Sequence, residues 1–270
     1  MTTTELFLSS WDFRPGAIAI CASLAVLYLL TNKKRSGLKT FNFMAGVLLI
    51  LFSLVSPLET LGHHYLFSAH MVQHMLLGSV APPLLVAGLT EDSVRTCLNH
   101  AWCVSLDRLF SLPAFALAVR IAVLVIWHLP APFQSAMSNP SIHVTEQLSF
   151  LLSGLLLWWP VFKPVPEGKL PPLYAIAYIA LAGFACSIMG SLFTICDTTL
   201  YSMYSRPHDP LGALDLIRSQ WGLSQLEDQQ LGGAIMWEPG CFIFLWAAMA
   251  VFLDWLKQSG KDTFVEHREV

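Results

Sequence analysis

The sequence predicts an all-α polytopic integral membrane protein of seven transmembrane helices, with the N-terminus outside and the C-terminus cytoplasmic. Three observations predict it. Only 12% of the 270 residues are charged and 55% are hydrophobic, whereas a soluble chain carries about 25% charged residues. The apolar residues fall in blocks close to the roughly 20 residues that a helix needs to cross about 30 Å of hydrocarbon. Lysine and arginine, finally, divide unequally between alternate loops.

The seven blocks run at about 15–30, 41–56, 66–89, 112–127, 143–162, 171–195 and 232–255. The first two are short for a bilayer, so their ends are expected to extend into flanking sequence. The opening from Met1 to Ser10 lacks a basic region, and the first block is followed by Lys33-Lys34-Arg35 and not by small residues. It therefore reads as a retained first helix and not as a cleaved signal peptide. Eleven basic residues share one set of loops: Lys33, Lys34, Arg35, Lys39, Arg95, Arg108, Lys163, Lys169, Lys257, Lys261 and Arg268. The other set holds only Arg14, Arg206 and Arg218. The richer side is cytoplasmic, and opposite termini require an odd number of spans.

One membrane domain covering 1–270 is expected, with an extracytoplasmic loop at 196–231 whose stretch 211–226 suits a surface helix. The basic residues form no stripe, so no nucleic acid is expected as a partner; the lipid bilayer is. The six cysteines form no CxxC pair and read as small apolar residues of the core.

With this topology the polar residues gather on one side. The third block carries His70-Met71-Val72-Gln73-His74-Met75, with His70 and His74 one turn apart on one face and Met71 and Met75 on another. His63 and His64 precede it at the outer mouth. His128 ends the fourth block, while His143, Glu146 and Gln147 begin the fifth. Asp228 precedes the seventh, which carries Met236 and Glu238. Seven of the nine histidines, His208 included, fall outside, and only His100 and His267 fall inside. Ionisable groups within a bilayer are costly and mark function. A single helical histidine is more often a hydrogen-bonded structural residue, and a methionine is more often plain packing. Convergence of four histidines is harder to explain that way. Imidazole and thioether together suit copper, and histidines on facing helices also suit haem. Arg120, near mid-membrane, is expected to pair with Glu238 or Glu146. Pro82-Pro83 and Pro239 are expected to kink their helices.

Three ordered motifs carry a resemblance. They are His70 to Leu77 followed by Ala81-Pro82-Pro83-Leu84-Leu85; Trp127-His128-Leu129-Pro130 running to His143-Val144-Thr145-Glu146; and Asp228-Gln229-Gln230-Leu231-Gly232-Gly233 with Ile235-Met236-Trp237. Trp158-Trp159-Pro160 fits as well. On these the chain resembles the CtaG family of bacterial cytochrome c oxidase assembly factors, associated with caa-type oxidases, over roughly 61–256. The resemblance implies an inner-membrane protein that helps mature the copper centre of a respiratory oxidase, and points to His70, Met71, His74, Met75, His128, His143 and Asp228. Many relatives carry a second histidine where this chain has Gln147.

The resulting expectation is a copper-binding assembly factor without turnover chemistry, facing outward. His70 and His74 are the core ligands, completed by His128 or His143, with Met71, Met75 and Met236 as soft ligands for Cu(I). Glu146, Asp228 and Glu238 would orient imidazoles or bind oxidised copper, and His63 and His64 are alternative ligands. The implied partners are the oxidase subunit that carries the copper centre and a periplasmic copper chaperone. A membrane oxidoreductase holding haem or copper between the histidine helices is the alternative, and a transporter comes last.

Overall fold

A computed structural model of the protein describes residues 1–32, 36–205 and 208–266, with side chains to residue 259. Lys33, Lys34, Arg35, Arg206, His267 and Arg268 lie outside the described residues, as does the side chain of Lys261. The described residues are helical, without strands. In chain order the helices are α1 (Thr3–Ser9), α2 (Pro15–Thr31), α3 (Gly37–Val55), α4 (Pro57–His64), α5 (Phe67–Met75), α6 (Ala81–Gly88), α7 (Glu91–Leu98), α8 (Ala101–Phe110), α9 (Pro113–His128), α10 (Pro130–Ser138), α11 (Pro140–Phe162), α12 (Pro172–Ile195) and α13 (Gln225–Glu266).

Each of the seven apolar blocks forms a helix, and local chemistry sets where it starts. Proline occupies the first turn of α2, α4, α9, α10, α11 and α12, where its missing N–H costs nothing. Ser36, Ser56, Thr90 and Asn139 cap α3, α4, α7 and α11 through side-chain oxygens. Ser56 also ends α3, so one serine makes the corner between two helices.

Four helices are long and apolar enough to cross a membrane: Gly37–Val55, Phe67–Gly88, Pro172–Ile195 and Gln225–Ser259. A fifth results if α8 and α9, bent by 73° at their junction, count as one span. Helix α2 has only 17 residues, and α11 has 23 but carries His143, Glu146 and Gln147. The clear count is thus four or five, below the seven expected. Large apolar side chains face outward along these helices, Trp246 at 79% exposure and Phe184 at 64% among them. A lipid environment accounts for such surfaces; water does not.

The span Phe67–Gly88 is not a uniform helix. Residues Leu76–Val80 form a π turn between α5 and α6. Pro82 and Pro83 have no N–H to donate to the carbonyls of the preceding turn, so the ladder slips there. Gly154 of α11 packs against this turn: a Cβ on it would lie 2.5 Å from the Gly78 carbonyl oxygen. At the second expected kink, α13 runs through Pro239 unbroken.

The loop expected at 196–231 ends earlier, because α13 already begins at Gln225. The surface helix expected at 211–226 shrinks to a single turn around Leu216–Gln220. Gly212 and Gly222, both at φ 66°, bracket it with a backbone that continues no right-handed helix. Leu216 and Ile217 bury against Leu6, Leu61 and Tyr65, forming a small cap of α1, α4 and this loop. Of the cysteines, Cys21, Cys103 and Cys186 are buried as expected, while Cys97 and Cys241 are exposed.

Candidate metal centre

The polar residues converge where α5, α9 and α11 meet beneath the cap. His70 and His74 project from successive positions on one face of α5, and Glu146 faces them from the second turn of α11. The Nε2 atoms of both imidazoles lie 3.5 Å from the same oxygen, Glu146 Oε1. One ligand atom from each of the three residues falls within 4.8 Å of the other two. All three side chains are buried, at 0%, 3% and 0% exposure. Neither ring nitrogen of His70 or His74, and neither oxygen of Glu146, has a hydrogen-bond partner. Buried polar atoms are satisfied in the great majority of cases, at a cost of about 1–3 kcal/mol when they are not. Three of these atoms, one from each residue, face one another closely enough to offer a donor set to a cation. Imidazole and carboxylate donors fit copper.

Aromatic rings hold this group in place. Phe150 stacks on His74 with centroids 3.9 Å apart, and Phe133 meets His70 edge-on at 5.2 Å. On one flank, His128 Nδ1 is 2.6 Å from the Leu124 carbonyl and its Nε2 is 3.4 Å from Met71 Sδ. The carbonyl requires the proton on Nδ1, which leaves the Nε2 lone pair beside the thioether. The His128 and His74 rings are 5.8 Å apart.

On the other flank stands His143, whose Nε2 is 3.9 Å from Glu146 Oε2 and whose ring stacks on His70 at 5.8 Å. Its Nδ1 faces Glu59 Oε1 at 3.6 Å. Glu59 is a residue that the sequence did not single out. It is buried at 1% exposure, pairs with Arg14 at 2.7 Å and accepts bonds from Gln73 and Gln147. The signal was faint: one acid in a connecting helix, four residues before His63 and hence on its face. Gln147 joins Glu59 at 2.7 Å to His143 at 3.3 Å, so it braces the imidazole.

Other expected residues lie elsewhere. Asp228 accepts bonds from the Phe67 and Ser68 backbone N–H groups at 2.6 and 3.2 Å and from the Ser68 hydroxyl at 2.5 Å. It anchors the start of α5 and reaches no imidazole. Glu238 is exposed and bonds to no histidine among the described residues. Met75 packs with Leu157, Trp158 and Phe244 in a separate apolar cluster, and Met236 is buried among apolar neighbours. Arg120 meets neither Glu146 nor Glu238. Its guanidinium donates to the Ser79 and Ser153 hydroxyls at 3.3 and 3.4 Å and lies 5.4 Å from the Phe150 ring centre. The niche exists because Gly78 has no side chain: a Cβ there would lie 2.6 Å from the guanidinium.

His63 and His64 end α4 just outside this group, with His63 4.8 Å from His143 between ring centres. Burial, and then the neighbouring His143 and His64, push the His63 imidazole down to about 4. Burial and His208 lower His64 as well. Both are therefore neutral at neutral pH.

Comparison with known proteins agrees with the resemblance read from the motifs. An uncharacterized protein of Mycobacterium leprae is 23% identical over 286 residues, covering 97% of this chain and 42% of the relative. Uncharacterized proteins of Mycobacterium bovis and Mycobacterium tuberculosis are each 24% identical over 275 residues, covering 93% of this chain and 39% of theirs. The chain thus spans about two-fifths of the length of these relatives. No solved structure matches it. The description of the cytochrome c oxidase caa3 assembly factor family, CtaG, matches residues 24–258, most of the chain, and the protein belongs to that family.

Proposed function

We propose that the protein is a membrane-embedded copper-binding factor acting in assembly of the copper centre of a respiratory cytochrome c oxidase. Copper is its cargo, held by His70 and His74 with Glu146, and flanked by the His128–Met71 pair and by His143. The oxidase subunit that takes the metal is the partner, with a periplasmic copper chaperone as donor. The Lys/Arg bias supports seven spans in the bacterial inner membrane, with this site towards the periplasm. On that reading α2, α9 and α11 also cross, and a membrane domain with the 196–224 connection outside completes the picture.

One observation carries the proposal: both imidazoles point at a single carboxylate oxygen inside a buried site, and none of the six polar atoms is otherwise bonded. A cation bound by one nitrogen of each imidazole and by the carboxylate satisfies the three facing atoms at once. Haem fits less well, because Phe150 and Phe133 fill the space beside His74 and His70 that a porphyrin would need.

Metal analysis of protein purified in detergent and loaded with Cu(I) tests this. Replacing His70 and His74 together by alanine should remove the tightly bound copper. Replacing His100, an exposed residue at the start of α8, should not. Unchanged tight copper in the double variant would refute the site. Loss in the His100→Ala protein would invert the orientation. A Soret band in the purified protein would favour the haem alternative.

A further inference from the structure

The cap leaves an opening above the buried group. A cavity of about 310 Å³ is lined by His63, His64, Met137, Met203 and His208. These residues come from three separate parts of the chain: the end of α4, α10, and the 196–224 loop. Every one of the five carries a nitrogen or sulfur donor, a composition that chance packing of an apolar loop does not favour. The Nδ1 atom of His63 is buried with no hydrogen-bond partner.

The cavity is also the outer end of a file of rings. Ring centres are separated by 6.3 Å from His208 to His64, 4.7 Å from His64 to His63, and 4.8 Å from His63 to His143. The file continues 5.8 Å to His70 and 4.1 Å to His74. Exposure falls along it, from exposed His208 through half-buried His64 and His63 to His143 at 3% and His70 at 0%. A metal–nitrogen bond is about 2 Å, so one ion shared by two imidazoles holds their ring centres roughly 6 Å apart. Every step is within that reach.

We propose that His64, His208, Met137 and Met203, with His63, form a second and weaker Cu(I) site at the mouth, from which the ion passes through His143 to His70 and His74. Thioether donors select Cu(I). At each step a neutral imidazole nitrogen bonds to the ion before the outer donor leaves. The copper keeps its charge and oxidation state, and no proton or electron moves. The inference rests on the copper reading of the inner site, but the mouth site itself is built from different residues.

Anaerobic titration of the full-length protein in detergent with Cu(I), against a colorimetric Cu(I) chelator, tests both. The wild type should bind two equivalents of different affinity. The variant His64→Gln/His208→Gln/Met203→Leu should keep only the tight equivalent and load it at least about tenfold more slowly in stopped-flow. The variant His70→Ala/His74→Ala should keep only the weak one. Two equivalents and an unchanged loading rate in the mouth variant would overturn the mouth site and leave the inner one standing. Tight copper surviving in the inner variant would overturn the inner site instead. Should the triple variant melt early, His64→Gln/His208→Gln alone, both at solvent-reached positions, gives the same reading.

Discussion

Replacing Glu146 by glutamine should strengthen the metal-free fold and weaken copper binding, two effects of opposite sign. Without metal, Glu146 sits at 0% exposure between two buried imidazoles, with both oxygens unbonded. Removing such a carboxylate relieves an ion's desolvation penalty of several kcal/mol, less what the two histidines return. The glutamine amide can donate to either Nε2 atom, each 3.5 Å from the present oxygen. A net gain of about 1–3 kcal/mol is expected, or roughly 2–10 °C in the melting midpoint. Copper then loses its one anionic donor, or the group that orients both imidazoles. Either loss weakens binding about 10–100-fold, which is about 1.4–2.7 kcal/mol. Thermal melts in detergent with and without Cu(I), together with chelator competition, read both effects. The copper-induced shift in midpoint should shrink while the metal-free midpoint rises. A variant that melts lower without metal and binds copper as tightly as the wild type would show that Glu146 braces the fold, and would refute the reasoning.

Three further substitutions probe the supports of the site. Asp228→Ala leaves the Phe67 and Ser68 donors unbonded at the start of α5; a loss of about 2–4 kcal/mol is expected, seen as a lower melting midpoint. Gly154→Ala places a methyl group 2.5 Å from the Gly78 carbonyl and 2.7 Å from Pro82, where backbone has to give way. A cost of about 1–3 kcal/mol is expected, and an unchanged midpoint would mean that α11 and the π turn are not in firm contact. Gln147→His puts an imidazole one turn from His143, where the amide now bonds to Glu59 and His143. Copper affinity should rise about tenfold at a stability cost of about 1 kcal/mol, both measurable in the same titrations and melts.

The helices were legible because crossing a bilayer demands a long apolar run, and such runs survive any detail of packing. Short elements were not. Helices α1, α4 and α10 have 7, 8 and 9 residues, too few for periodicity to declare them. The histidines were legible because polar residues in apolar blocks are conspicuous, and their spacing on α5 put His70 and His74 on one face. The same spacing misled for methionine. Met75 lies about one turn deeper than Met71, about 6 Å along the axis, which carries it past the polar layer into the cluster with Trp158. Asp228 looked like a partner for imidazole, yet two backbone N–H groups and a hydroxyl at the start of α5 claim it. Long-range claims of this sort have no signature in spacing. Glu59 was missed for the same reason, since its partners Arg14, Gln73 and Gln147 come from three other segments.

The layer beneath the histidines bears on whether the metal could go further inward. His74 is stacked on Phe150 at 3.9 Å, and the Arg120 guanidinium lies 5.4 Å from the centre of that ring. A cation bound to His74, about 3 Å beyond the ring centre, and the Arg120 charge would therefore stand within about 12 Å of each other, a repulsion of at least about 1.4 kcal/mol at an effective dielectric constant of 20. Arg120 is buried and held by serine hydroxyls, with no carboxylate paired to it among the described residues. Below it come Met75, Leu157, Trp158, Cys186 and Phe244, where among the described residues two sulfurs stand in place of a file of imidazoles. A path across the membrane would need ligands on both sides of the site. Here the donors run from the cap down to His74 and then give way to a phenyl ring, a fixed positive charge and a packed apolar layer. On the copper reading, that arrangement suits a pocket with one mouth that receives and returns the metal on the same face, and it argues against a transporter.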